Sequence, residues 1–420
     1  MKRDRYGNDC STASAAAMEA YIEGVDLFLA AQAGPEIAFE RAVQEDPSFA
    51  LAHAALARSL QTIARPAEAM GALTTARSLA PHVTARERAH ISVLGHVISG
   101  KGTLAYPEIC EHIKEYPRDV MVVQPCAGVF GLIGFSGRPG REAENLAFFG
   151  SLHPAYGADW WFESVLAFAQ VEVGQLAQAA ITTERAYIAN PANGNSAHYK
   201  AHYHYEAGEG EAGRAFIGDW RRGYDKAGVL HCHVSWHEAL WALEAGDSTD
   251  AWAIIEADVR PGGAWGPPAN VLTDMAAFLL RSEFAGEARR DDLWQEISDY
   301  ASRYFSAPGV SFADAHAAIA HAIAGNDEAL AKLKEDPAGP AGDIVKSLAH
   351  VYDAFARADW QGVVSGLSPV MAQHERIGGS RAQRDFLEFT LLNALLKLGQ
   401  REEASLILAI RRPVLAMPAA

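Results

Sequence analysis

Basic residues and long apolar runs are both scarce in this 420-residue sequence. Its 36 lysines and arginines stand against 52 aspartates and glutamates, which gives a net charge of −16. Nucleic acids and anionic membranes attract clustered basic residues, so we expect neither as a partner. No stretch approaches the roughly 18 uninterrupted apolar residues of a transmembrane helix. No apolar segment follows Lys2 and Arg3 as a secretory signal would require.

Cysteine is rare as well, and the common catalytic motifs are missing. The four cysteines are scattered without CxxC spacing, at Cys10, Cys110, Cys126 and Cys232. The sequence therefore offers no cysteine ligand quartet, and we expect reduced thiols in a cytoplasmic protein. It also has no GxSxG motif, no P-loop and no GxGxxG placed between a strand and a helix.

What the sequence does contain is an internal repeat. Pro47 and Pro81 lie 34 residues apart, and each closes a helical stretch. Small or apolar residues recur between them at Leu56, Ala57, Leu60, Ala69, Leu73 and Ala76. Such 34-residue units, packed through small side chains and ended by proline, are typical of tetratricopeptide repeats (TPRs). The same pattern precedes them at Phe39, Ala42 and Pro47, and follows Trp160 at Leu166, Ala167, Ala179, Ala186 and Pro191.

Helical periodicity continues where the repeats blur. Further helices are indicated at residues 108–115, 212–224, 272–283, 291–304, 313–324 and 386–398, and no segment alternates like a strand. We therefore predict an all-α fold, a right-handed superhelical solenoid of degenerate TPR-like helix pairs. Residues 1–420 form one such unit in this prediction. The clearest repeats are 16–81 and 160–260, and degenerate helical repeats occupy 270–420.

Five blocks of sequence carry a resemblance that covers nearly the whole chain. They are "DRYG", "YPRDVMVVQPCAGVFGLIGFSGR", "AHYKAHYHYEAGE", "LHCHVSWHEALW" and "HERIGGSRAQRDFLEFTLLNALLKLGQ". Together, and in this order, they resemble the tetratricopeptide repeat protein 38 family in a bacterial version. The resemblance implies an α-solenoid of degenerate TPR units and no particular reaction. That family's last block reads glycine–glycine–serine–histidine, whereas Arg381 replaces the histidine here, so no role of that histidine carries over.

Two pairs of histidines stand in the same register of neighbouring units. His198 and His202 precede His233 and His237 by 35 residues, which is close to one repeat. Within each pair, the spacing of four residues places both side chains on one helical face. In TPR proteins this face of the first helix lines the concave surface, and packed helices lie roughly 8–10 Å apart. We therefore expect the four imidazoles to converge in the inner groove.

The convergence leaves three interpretations open. The histidines are hydrogen-bonded core residues, or they bind a metal ion with Glu206, or they act as metal-free acid–base and binding groups. In the third case Glu206 orients one imidazole. HxxxH lacks the glutamate of HExxH, so we favour a metal-free site and expect no cofactor. Of the neighbouring histidines, His231 is expected to be solvated and His204 to point elsewhere.

Further residues are predicted to contact a ligand. Aromatic rings near the histidine stripe are expected to line the pocket, namely Trp161, Tyr205, Trp236 and Trp241. His316 lies on a helical segment shortly after Asp314. Arg384 lies in the first turn of another helix, which Ser380 and Gln383 are expected to cap, and an anion could bind there.

These residues predict a function. We expect a TPR-like protein that binds a small organic molecule in a concave pocket lined by histidine, tryptophan and tyrosine. Acid–base catalysis by the four histidines and Glu206 would make it a hydrolase or lyase. The alternative is a scaffold that binds a peptide or partner protein in the same groove. Grooves for acidic peptides need clustered lysine or arginine, and the inner positions here offer imidazole, aromatic and carboxylate groups instead.

Overall fold

Helices form nearly all of the molecule. The computed structural model describes residues 1–263 and 265–411 and is all-α. Its described residues contain 22 α-helices that make up 73% of the chain, so the core is formed by helix–helix packing. The first ten helices are α1 (Ala15–Leu29), α2 (Pro35–Glu45), α3 (Ala50–Thr62), α4 (Pro66–Leu79), α5 (Ala85–Ile98), α6 (Gly102–Glu115), α7 (Val120–Val123), α8 (Arg141–Tyr156), α9 (Trp160–Glu172) and α10 (Leu176–Ala189).

The remaining helices carry the residues singled out in the sequence. They are α11 (Gly194–Ala207), α12 (Gly210–Arg221), α13 (His231–Glu244), α14 (Ser248–Ile254), α15 (Pro268–Phe284), α16 (Asp291–Tyr304), α17 (Ser311–Ala324), α18 (Asp327–Glu335), α19 (Gly342–Ala356), α20 (Trp360–Met371), α21 (Arg381–Lys397) and α22 (Arg401–Arg411). Short 3₁₀ turns occur at Ala80–His82, Gln124–Cys126 and His374–Ile377, and α14 continues into a π-helical turn, Ile255–Val259. Strand structure in the described chain is confined to β1 (Lys2–Arg3) and β2 (Asp9–Cys10), which pair antiparallel.

The all-α prediction is confirmed. Each further segment predicted from helical periodicity coincides with a helix except for a few terminal residues; the helices are α6, α12, α15, α16, α17 and α21. The prolines also act as predicted, since α2 ends just before Pro47 and α10 ends just before Pro191. Local periodicity was sufficient for these elements because an amphipathic stripe is a property of the segment itself.

Side-chain caps determine where two of the helices begin. Thr84 and Glu87 form a capping box at the start of α5. The predicted capping box at the start of α21 is confirmed. There Ser380 N–H donates to Gln383 Oε1 at 3.0 Å, and Gln383 N–H donates to Ser380 Oγ at 3.1 Å. The box satisfies two otherwise unpaired amides and fixes the first turn of α21.

Consecutive helices pack in pairs, among them α1 with α2, α3 with α4 and α9 with α10. Small residues determine how closely the pairs approach. A Cβ added at Gly24 of α1 would lie 2.6 Å from the Phe39 ring of α2, so only glycine fits there. The repeated alanines at Ala69 and Ala76 of α4 are almost completely buried. Small side chains thus set the spacing between helices, as the repeat pattern predicted.

The N-terminal helices contact the middle of the chain. The loop after α1 meets the start of α11, where Gly194 N–H donates to Ala30 O at 2.8 Å. Asn195 Nδ2 donates to Leu29 O at 2.9 Å beside it. Tyr224, which precedes α13, donates its hydroxyl hydrogen to Ala31 O. These bonds join segments more than 150 residues apart in sequence.

The C-terminal helices also contact earlier parts of the chain. The Arg141 guanidinium at the start of α8 donates to Glu375 O and Gly379 O, each at 2.5 Å. Arg376 Nε donates to Gly137 O at 2.9 Å. Helix α21 packs on α15 and touches α11. The first turn of α21 therefore lies beside α15 and near α11, which carries one of the histidine pairs.

Buried apolar side chains form two large clusters and a small one. One large cluster occupies the N-terminal half and the other the C-terminal half. The small cluster lies where α11, α12, α13 and α21 meet, and Tyr205 and Trp241 belong to it. Within the described ranges, no helix combines the length and apolarity needed to cross a membrane.

Candidate functional site

Four histidines meet between α11 and α13. His198 and His202 lie one turn apart on α11, and His233 and His237 lie one turn apart on α13. One ring nitrogen from each residue lies within 4.8 Å of the corresponding atom of every other. The side chains are only 1–7% exposed. We call these four residues the histidine cluster.

Hydrogen bonds satisfy only part of the histidine cluster. His198 Nε2 and His202 Nε2 lie 2.9 Å apart, so one N–H donates to the lone pair of the other nitrogen. His233 Nδ1 donates to Asp274 Oδ2 of α15 at 2.8 Å. Among the described residues, neither ring nitrogen of His237 has a hydrogen-bond partner, and His202 Nδ1 has none. Buried polar atoms are usually paired, so these three nitrogens need an explanation.

Aromatic rings surround the imidazoles and keep the cluster dry. Trp236 stacks on His233, with ring centroids 5.3 Å apart and planes 16° from parallel. The Phe168 ring centroid lies 4.9 Å from that of His202, and the Trp241 centroid lies 6.2 Å from that of His237. Such a shell lowers the local dielectric and disfavours any net charge that is not compensated.

Burial keeps most of the cluster neutral. It lowers the pKa of His198, His202 and His237 well below the usual value for histidine, and the neighbouring imidazoles lower these pKa values further. Burial also raises the pKa of Asp274, while the His233 imidazole and the Gln383 side chain act in the opposite direction. At neutral pH these three imidazoles are therefore neutral, and their nitrogen lone pairs can accept a hydrogen bond or bind a metal ion.

The neighbours of the histidine cluster differ in part from those expected. Glu206 lies near the end of α11, and its Oε2 is 3.4 Å from Arg381 Nε of α21. Asp274 of α15 places a carboxylate beside the imidazoles. His231 is buried rather than solvated, because Tyr224 of the preceding loop stacks parallel to its ring. His204 does point away, and its Nδ1 contacts Glu209.

The predicted aromatic residues are divided between the cluster and its surroundings. Trp236 and Trp241 contact the imidazoles directly. Tyr205 lies one shell further out and donates its hydroxyl hydrogen to Asp385 Oδ2 at 2.7 Å. Trp161 packs against the rings of Tyr156 and Phe162 in the N-terminal core. Trp161 is thus placed as a core residue and not as a wall of the cluster.

His316 lies on α17, away from α11 and α13. Its Nδ1 donates to Phe312 O at 2.8 Å, and its ring packs between Phe312 and Phe386. Burial lowers the pKa of His316 to about 4. The residue is a neutral core histidine beside α21.

A cleft lies at the start of α21. It measures about 410 Å³, and its ionisable lining includes Glu142, Glu172, His374, Arg381, Arg384 and Asp385. We call it the α21 cleft. Arg384, predicted to bind a ligand, lines it and donates to Glu142 and Gly379 O. Arg381 is the more accessible guanidinium, with 35% of its side chain exposed.

Glu172, at the end of α9, has a strongly perturbed carboxyl in the α21 cleft. Its Oε2 accepts a hydrogen bond from Arg381 N–H at 3.0 Å, and its Oε1 has no hydrogen-bond partner among the described residues. Burial and the nearby Glu142 carboxylate raise its pKa to about 8, while Arg384 acts in the opposite direction. A carboxyl that titrates near neutral pH in a cleft can exchange protons with a bound molecule.

Sequence reasoning missed Asp274 and Glu172. A signal was present for Asp274, because it is an acidic residue in the middle of the apolar segment "VLTDMAAFLL". Charged residues are seldom fully buried without a partner, so that position indicated a contact. Glu172 gave no comparable signal, since a glutamate near a helix end is ordinary.

When the sequence is compared with the models of known protein families, no family model matches. The functional argument therefore rests on the contacts of the histidine cluster and of the α21 cleft.

Proposed function

We propose that the helix pairs form a right-handed solenoid of degenerate TPR-like units. The first helices of three N-terminal pairs begin at Ala15, Ala50 and Ala85, so the repeat is 35 residues long there. α9 and α11 begin 34 residues apart, at Trp160 and Gly194. From α11 to α13 the spacing is 37 residues, between Gly194 and His231. A nearly constant repeat length with small residues between paired helices is what TPR-like stacking requires.

We propose further that the protein binds a small organic molecule in the α21 cleft and acts on it as a hydrolase or lyase. The observation that carries this proposal is the Glu172 carboxyl, which lines the cleft with a pKa of about 8. Such a group is mostly protonated at neutral pH and can act as a general acid. A cleft of about 410 Å³ has the size of a metabolite site.

The lining of the α21 cleft indicates the kind of molecule. Arg381 can bind an anionic group, because it lines the cleft and 35% of its side chain is exposed. Glu142 and Glu172 offer carboxyl groups for a cationic or hydrogen-bond-donating group. A small molecule that carries both signs of charge, such as an amino acid, fits this lining.

Glu172, and not the histidine cluster, has the acid–base role in this proposal. The four imidazoles are at most 7% exposed, and aromatic rings cover them. Glu172 is also only 3% exposed, but unlike the four imidazoles it lines a cleft large enough for a small molecule.

The alternative scaffold function has one observation in its favour. A surface groove of about 660 Å³ runs between α12 and α13, and Arg214, Arg222, Trp241 and Glu244 help to line it. An aromatic ring flanked by guanidinium groups suits a peptide anchor. The two functions therefore use different surfaces, and variants can separate them.

A ligand screen tests the proposal. Purified protein is mixed with a panel of amino acids, small carboxylates and small amines, and thermal shift and calorimetry report binding. We expect a panel member to bind wild-type protein and the Arg214→Gln control, but not Arg381→Gln. Glu172→Gln should still bind the same panel member but should no longer convert it to product. Binding that survives Arg381→Gln and disappears in Arg214→Gln would overturn the cleft and favour the groove.

A further inference from the structure

The histidine cluster has the ligand arrangement of a metal site. Its four nitrogen atoms come from two facing helices, and all lie within 4.8 Å of one another. Tetrahedral zinc bonded to nitrogen at about 2.0–2.1 Å places its ligand atoms roughly 3.3 Å apart. The Nε2 atoms of His198 and His202 are 2.9 Å apart, which is shorter than this ligand–ligand distance. The other pairs of nitrogen atoms in the cluster are separated by up to 4.8 Å. Small rotations of the rings therefore bring the four atoms to coordination distance.

Asp274 supplies the second feature of a metal site. Its Oδ2 accepts from His233 Nδ1 at 2.8 Å, so the proton is on Nδ1 and the lone pair of Nε2 is free to bind. Histidine ligands of metals usually donate their other N–H to a carboxylate or carbonyl, which fixes the tautomer and increases basicity. Asp274 is itself 1% exposed, so this contact is part of the interior and not a chance surface pair.

Unpaired nitrogens provide the third feature. Among the described residues, both ring nitrogens of His237 and Nδ1 of His202 are buried without a hydrogen-bond partner. A purely structural network would pair these atoms, because leaving them unpaired costs stability. A cation between the four rings would take one lone pair from His237.

The side chains in and around the histidine cluster indicate which type of metal ion it can bind. Four imidazoles without any thiolate or directly bound carboxylate suit first-row transition metals such as zinc, copper or nickel, and not Mg²⁺ or Ca²⁺. Imidazole ligands are neutral, so they do not offset the charge of a divalent ion. The nearby negative charge comes from the Asp274 carboxylate, which is hydrogen-bonded to His233. The aromatic shell of Trp236 and Phe168 excludes the water that such an ion would otherwise bind.

We propose that the histidine cluster binds one divalent transition-metal ion, Zn²⁺ in the first instance, and that Asp274 is the positioning residue for His233. The site lies in the interior between helices, as metal sites of helical bundles do. The sequence favoured a metal-free cluster because HxxxH lacks the glutamate of HExxH. The carboxylate that supports the cluster comes from Asp274 on a different helix, α15.

Metal titration of the full-length protein tests the proposal. The protein is treated with a chelator, reloaded separately with Zn²⁺ and Co²⁺, and analysed for stoichiometry by elemental analysis and calorimetry. We expect about one ion per chain, intense visible absorption of the Co²⁺ form, and an X-ray absorption spectrum with only imidazole nitrogen in the first shell. A protein that binds no stoichiometric ion, or a shell containing sulfur, would overturn the proposal.

Variants locate the ion. His237→Gln and His202→Gln should weaken Zn²⁺ binding at least 100-fold, whereas His204→Gln on the same helix as His202 should bind like wild type. Asp274→Asn should weaken it about 10- to 100-fold, with partial recovery in Asp274→Glu and a shifted Co²⁺ spectrum. Equal affinity of His237→Gln and wild type would contradict the site. If a variant does not fold, the stoichiometry and absorption spectrum of wild type still decide the question, and both are independent of any activity in the α21 cleft.

Discussion

Asp274 Oδ2 and His233 Nδ1 lie 2.8 Å apart although 41 residues separate them in sequence. The contact joins α15 to α13 and places a carboxylate at the edge of the histidine cluster. Both side chains are at most 2% exposed. Neither solvent nor salt can therefore screen the interaction to any great extent, and its removal should have a measurable cost.

Asp274→Ala should destabilise the protein by about 1–3 kcal/mol, because it leaves the N–H of His233 buried without an acceptor. Urea unfolding followed by circular dichroism measures the change. Asp219→Ala is the control, since the Asp219 side chain is 79% exposed and should matter little. Equal effects of the two substitutions would show that the His233 contact contributes nothing to stability.

His316 should make stability depend on pH between about 6.5 and 4. Burial lowers its pKa from 6.5 to about 4, so the unfolded chain binds more protons than the folded protein in this range. Stability should fall as the pH falls, by up to about 3 kcal/mol from this residue. His316→Phe, which keeps a ring between Phe312 and Phe386, should reduce the slope of stability against pH. An unchanged slope would mean that the ring is hydrated or already charged in the folded protein.

Glu172 should have the opposite dependence at higher pH. Its pKa is raised from 4.5 to about 8, chiefly by burial, so the folded protein retains a proton that the unfolded chain releases. Its contribution to stability is present below about pH 4.5 and is lost as the pH rises through about 8. Relative to wild type, Glu172→Gln should therefore become more stable as the pH rises from 5 to 9, as thermal melts can show. Parallel melting curves across this range would contradict the raised pKa.

Gly379→Ala should be far more harmful than Gly399→Ala. Both glycines have a positive φ, 74° and 77°, so the backbone strain is similar and costs about 1–2 kcal/mol in each case. A Cβ at Gly379 would lie 2.3 Å from the Phe312 ring, whereas one at Gly399 would meet nothing within 4 Å. We expect a further loss of about 1–3 kcal/mol at Gly379 from this clash. Equal losses, measured by chemical denaturation, would show that the loop before α21 can move away from α17.

Much of the fold could be predicted, because its signals are local. The proline spacing, the alternation of small and apolar residues and the Ser380–Gln383 capping box each act within one helix or one helix pair. The convergence of the two histidine pairs was also predictable, since their 35-residue offset is close to one repeat and places them side by side on neighbouring units. The four imidazoles do converge, but they are buried and do not line an open groove as expected.

The partners of the cluster could not be predicted in the same way. Glu206 follows His202 by one helical turn and was expected to orient an imidazole, yet Arg381 from α21 lies against it. His231 was expected to be solvated, yet the loop before α13 returns and stacks Tyr224 on it. In both cases a segment outside α11 and α13 determined the environment.

The sequence by itself determined the helices, their pairing and the register of the four histidines, because these follow from periodicity within some 35 residues. Only the tertiary structure decided that Asp274 supports His233 and that α21 brings Arg381 and Arg384 to Glu172. It also decided that the imidazoles are buried and not open to a groove. These outcomes depend on contacts between segments 40 to more than 200 residues apart, such as Arg381 with Glu172. Packing across the whole interface offsets the conformational entropy that is lost when so long a loop is closed. A local sequence pattern therefore does not predict these contacts.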